Sequence, residues 1–70
     1  MNLVPVSSST LKAVGYEQTG TMQVMFTNGE QYQYYGVPPS VHAELMAASS
    51  HATYFDAHIK QGSYRFWKLR

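Results

Sequence analysis

The sequence predicts an α+β domain: a three-stranded antiparallel meander, two short helices covering one face of it, and a C-terminal strand added to the sheet. Three observations carry this reading. Asn28-Gly29 separates two runs of alternating apolar and polar residues, the strongest short-range signal for a β-hairpin. Val37-Pro38-Pro39 then ends the strand pattern and gives way to Val41, Leu45 and Ala48 at helical spacing. The chain closes on Tyr64-Arg65-Phe66-Trp67-Lys68-Leu69, rich in the aromatic residues that strands favour.

The hairpin allows two registers. A two-residue loop pairs Thr27 with Glu30 and scatters the apolar residues over both faces. A three-residue loop, Thr27-Asn28-Gly29 with Gly29 left-handed and forming a bulge, pairs Phe26 with Glu30, Val24 with Tyr32 and Met22 with Tyr34. That register puts all five apolar residues on one face and Gln23, Met25, Gln31, Gln33 and Tyr35 on the other. A one-residue slip would invert the whole set, so the second register is the expected one.

Upstream, residues 1–8 carry a proline and the start of a serine run and read as a loosely ordered lead-in, with a single domain over residues 9–70. Leu11 to Glu17 alternates as a strand, with Lys12, Val14 and Tyr16 against Leu11, Ala13 and Gly15. A turn at Thr19-Gly20 sets it antiparallel to Met22–Phe26, with Tyr16 near Met22 and Val14 near Val24. Tyr16, Tyr32 and Tyr34 then share a face. Downstream, proline suits a first helical turn, and the first helix is expected over 40–48. Ser49-Ser50 interrupts it and offers an N-cap for a second helix over about 52–60, with Phe55 and Ile59 one turn apart and Gly62 as a stop. The last strand has two possible inward sets, Tyr64 with Phe66 or Trp67 with Leu69, and its periodicity leaves both open.

Composition narrows the function. Seventy residues hold six Tyr, three Phe and one Trp, so a small aromatic core is expected in a chain that buries only about 60% of its extended surface. The absence of cysteine excludes a disulfide framework, Cys-ligated zinc and thiol catalysis. There is no leader pattern and no apolar run long enough to span a bilayer, so a cytoplasmic protein with no membrane association is expected. The net charge is +1, but Lys60, Arg65, Lys68 and Arg70 crowd the last eleven residues with no acid among them. Such a basic end can attract phosphate or an acidic partner, or merely guard a strand edge.

Chemistry finds little purchase. Of the three histidines, His51 and His58 would lie two helical turns apart, on the order of 10 Å, and His42 belongs to the other helix, so no metal site is expected. His58 is expected at the core edge with a ring nitrogen on a backbone carbonyl. Ser7–Thr10 lie in the lead-in, the four acids are dispersed, and the glycines fall singly, so neither an activated nucleophile, a carboxylate pair nor a phosphate loop is visible. No catalysis, cofactor or small-molecule substrate is expected.

The order of residues resembles the KTSC domain family, small domains named for their occurrence at the C-terminus of some lysyl-tRNA synthetases and found also as stand-alone bacterial or phage proteins. Ser9, Val14-Gly15-Tyr16, Val24-x-Phe26, Gly29, the Tyr32-x-Tyr34 pair, Val37-Pro38, Leu45, Ser50, Tyr54-Phe55, His58-Ile59 and Tyr64 carry the resemblance. Asp56 and Ala52 depart from it. The resemblance implies the fold, a leaning toward RNA, and no catalytic residue. The leading expectation is a monomeric, non-catalytic binding module for RNA, with Lys60, Arg65, Lys68 and Arg70 on phosphates and Tyr35 or Trp67 stacking on bases. The alternative is a protein-interaction module, such as a small phage-type regulator docking on the transcription or translation apparatus. Gly29, Tyr16, Tyr32, Tyr34, Phe26 and Phe55 are read as structural.

Overall fold

A computed structural model describes residues 2–70. Five strands, β1 (Val4–Pro5), β2 (Leu11–Tyr16), β3 (Met22–Phe26), β4 (Gln31–Tyr35) and β5 (Arg65–Lys68), form one antiparallel sheet in sequence order. Helices α1 (Pro39–Ala47) and α2 (His51–Phe55) lie between β4 and β5. Their side chains pack on the sheet face that holds Val14, Met22, Val24 and Tyr34.

The hairpin adopts the three-residue loop. Val24 faces Tyr32 and Met22 faces Tyr34, while the Phe26 amide donates to the Glu30 carbonyl at 2.8 Å and the Gly29 amide to the Phe26 carbonyl at 3.0 Å. Gly29 sits at φ +93°, where a Cβ would strain the backbone. The Asn28 side chain closes the turn by accepting from the Glu30 amide at 3.0 Å.

Several expectations need correction. The sheet has five strands, because Val4–Pro5 pairs with Val14 and Ala13 of β2 and the Val6 amide donates to the Lys12 carbonyl. The short proline-containing edge carries too little periodicity to be seen in sequence. Second, the alternation of β2 changes phase: Leu11 faces Phe26 while Ala13 faces Met25, so Lys12 is an extra residue. This bulge turns Leu11 to the core side, where it is fully buried beside Val14. Third, α2 starts one residue early and ends at Phe55, continuing as a π-helical turn over Asp56–Lys60. Of the Ser49-Ser50 pair, Ser50 is the cap, accepting from the Thr53 amide at 3.3 Å. Gly62 has no left-handed φ. It is small for space, since a Cβ there would lie 2.8 Å from the His58 carbonyl oxygen.

Leu11, Val14, Met22, Val24, Tyr34, Val37, Leu45, Phe55 and Ile59 form the core. Phe55 meets Phe26 and Tyr34 edge to face at 5.5 and 5.6 Å. The Tyr16 hydroxyl donates to the Val37 carbonyl at 2.6 Å, tying β2 to the segment that enters α1. Its ring stacks flat on His42 of α1 at 4.5 Å. The carbonyl-bound histidine is His51 rather than His58: His51 Nδ1 lies 2.8 Å from the Leu45 carbonyl oxygen, whereas His58 is exposed and stacks on Tyr54.

Partial burial pushes the pKa of His42 below its ordinary 6.5. Above that value the imidazole is neutral in both folded and unfolded chains and contributes nothing. On acidification the unfolded chain takes the proton first, so stability falls between the ordinary pKa and the lower folded one. His42→Phe, which retains the stack, is expected to flatten that part of the stability curve in urea titrations from pH 7 to 5. Glu30, held below its ordinary 4.5 by hydrogen bonds from Lys68 and then Asn28, acts only in the more acidic carboxylate range.

Candidate functional site

The register of β5 settles what its periodicity leaves open. Phe66 faces Tyr34 and Lys68 faces Tyr32 on the helix side, while Arg65 faces Tyr35 and Trp67 faces Gln33 on the other. Two surfaces result.

The open face of the sheet presents Gln23 and Met25 from β3, Gln31, Gln33 and Tyr35 from β4, and Arg65 and Trp67 from β5. Its amides are locked in one run. The Tyr35 hydroxyl donates to Gln33 at 3.0 Å, Gln33 donates to Gln23 at 3.2 Å, and Gln23 donates to Gln31 at 2.8 Å. Such a ladder removes rotamer freedom in advance. Beyond it stand Trp67, 67% exposed, and Tyr35, 39% exposed. Among the paired strand positions of this face there is no acid.

The helix side holds a groove of about 590 Å³ between the hairpin tip and the π-helical turn, within the size range of ligand sites. Phe26, Tyr32, Tyr34, Phe55 and Phe66 line it, with Asp56 and Lys60 among its polar residues. Tyr34 makes no side-chain hydrogen bond, yet among the described residues no buried polar side-chain atom lacks a partner, so its hydroxyl opens into the groove. Burial, and then the neighbouring Tyr32, raise its pKa. Sequence reading placed these rings inward but did not see a groove, because Phe66 joins them only through the β5 register. That ring stays 58% exposed at the groove's rim.

The residues expected to touch a ligand are thus divided. Tyr35, Arg65 and Trp67 meet on the open face. Lys60 lines the groove. Lys68 is on the groove side as well, its ammonium 3.0 Å from the Glu30 carboxylate, and that hydrogen bond raises its pKa. Arg70 extends β5, exchanging backbone hydrogen bonds with Gln31. Among the described residues there is no cluster of His, Cys, Asp or Glu that could hold a metal, and no helix is long and apolar enough to cross a membrane.

Fold and surfaces together define a small α+β domain with helices on one side of its sheet and an open face on the other that has no acid among its described paired positions. The chain belongs to the KTSC domain family, whose model matches residues 7–64. The crystal structure of a KTSC domain protein from Yersinia pestis superposes with a TM-score of 0.88 at 34% identity, covering 99% of this chain and 97% of that one. A protein of Stutzerimonas stutzeri is 34% identical over 70 residues, 99% of both chains. A lysine–tRNA ligase of Nostoc punctiforme is 38% identical over 68 residues, 96% of this chain but only 12% of that enzyme.

Proposed function

We propose that this domain is a non-catalytic RNA-binding module that takes unpaired bases on the open face of its sheet. One observation carries the reading: Trp67 and Tyr35 lie exposed on the same face as Arg65, beside preordered glutamines and with no acid among the paired positions. Every base has a π-face, so stacking on such rings tolerates sequence, while the glutamine amides can meet base edges and Arg65 a phosphate. The similarity to a segment of a lysine–tRNA ligase supports the same ligand class. Lys60 and Lys68 lie on the groove side, outside this path.

The chain has a single tryptophan, which makes the test direct. Single-stranded RNA is expected to quench Trp67 fluorescence saturably. The log of the affinity should fall linearly with the log of salt, about 0.7 per phosphate neutralised. Duplex RNA, whose bases are stacked away, should bind more weakly. Unchanged fluorescence at low salt with every RNA tried would sink the reading. The second reading, a protein-interaction module, draws on the aromatic groove; it would be favoured by a partner that survives nuclease treatment and is lost with Phe66→Ala.

A further inference from the structure

The sheet ends on an edge strand with no neighbour on its outer side. β5 pairs with β4 alone, all its residues are exposed, and Phe66, Trp67 and Leu69 are among the few large exposed hydrophobics of the domain. It contains neither proline nor glycine, and the charges that guard it, Arg65 and Lys68, stand at its two ends and leave Phe66 and Trp67 open between them. The opposite edge, β1, is only two residues long and contains Pro5, which suits it poorly to further pairing.

We propose that β5 pairs antiparallel with β5 of a second copy, around a two-fold axis at Phe66, joining the two sheets into one. The order of residues argues for a second copy. A two-fold axis normal to the sheet keeps both helix layers on the same side, so directly opposed residues must point to the same face. Only registers centred on a residue satisfy this. Centring on Phe66 sets Phe66 against Phe66 on the helix side and, twice over, Arg65 against Trp67 on the open side. Centring on Trp67 would instead set Lys68 against Phe66, but the Lys68 ammonium is already on Glu30. Arg65 makes no salt bridge among the described residues and is the guanidinium left to lie against an indole. No like charges face one another at the axis. The pairing also satisfies edge amides and carbonyls and covers Phe66.

The interface is short and belongs to the weak class, so association should depend on concentration. In nuclease-treated protein, sedimentation equilibrium is expected to show the mass rising from 7.9 kDa toward twice that value as concentration increases, and Phe66→Lys should hold it at the monomer with unchanged circular dichroism. Because the chain contains no cysteine, Phe66→Cys should oxidise to a covalent dimer, the two Cα atoms lying at cross-strand distance, while Trp67→Cys should not. A wild-type chain that remains monomeric at high concentration, a Phe66→Lys chain that still dimerises, or crosslinking through Trp67→Cys in preference to Phe66→Cys would overturn the proposal. RNA takes no part in these measurements, so their failure leaves the RNA reading standing, and the reverse.

Discussion

Replacing Phe55 by alanine is expected to abolish most of the cooperative urea transition. The ring is 3% exposed and stands between Phe26 of the hairpin and Tyr34 of β4, so it joins the helical layer to the sheet. Truncating such a ring removes its transfer free energy and leaves a void, about 3–5 kcal/mol together. A chain of this length has only about 3–10 kcal/mol in all. Neighbours can relax into the void only by giving up their own edge-to-face contacts. Phe66→Ala, at a ring 58% exposed, should cost less than about 1 kcal/mol by comparison. Denaturation followed by far-ultraviolet circular dichroism distinguishes the two, and equal midpoints for both variants would contradict the packing described above.

The combined change Trp67→Ala with Tyr35→Ala is expected to weaken single-stranded RNA binding by about 30-fold or more, since each stacked base contributes about 1–3 kcal/mol. Both side chains are exposed on the open face, so the fold should be retained and the loss read directly by a filter-binding or anisotropy titration. Arg65→Ala should lower the salt slope by about one phosphate contact, whereas Lys60→Ala, on the groove side, should leave the slope unchanged. If Lys60→Ala weakens binding as much as the double change does, RNA lies on the groove side and the face has been misassigned.

The two halves of the chain differ in how much their residues disclose. In β3 and β4 the inward row is a strict alternation through Met22, Val24, Phe26, Tyr32 and Tyr34, and a one-residue error would expose all of it, so the loop at Gly29 was legible beforehand. In β5 the pattern Tyr64, Phe66 against Trp67, Leu69 is balanced, and all four strand residues remain exposed. Burial therefore cannot read itself back from composition, and the pairing of Tyr34 with Phe66 is what assigns the faces. The division of the basic tail follows from the same pairing. Arg65 and Lys68 part company because residues three apart on a strand point to opposite sides, and Lys60 reaches the groove from the π-helical turn.

Sequence alone determined the fold class, the hairpin register and the inward tyrosine pair, because local turn chemistry and a period of two leave one arrangement that buries the apolar row. Tertiary structure alone decided the β2 bulge that swings Leu11 into the core, the fifth strand at Val4–Pro5, the π-helical end of the second helix, and the face on which Trp67 and Arg65 stand. Each of these depends on a neighbouring strand or helix distant in the chain, whose position no local pattern contains.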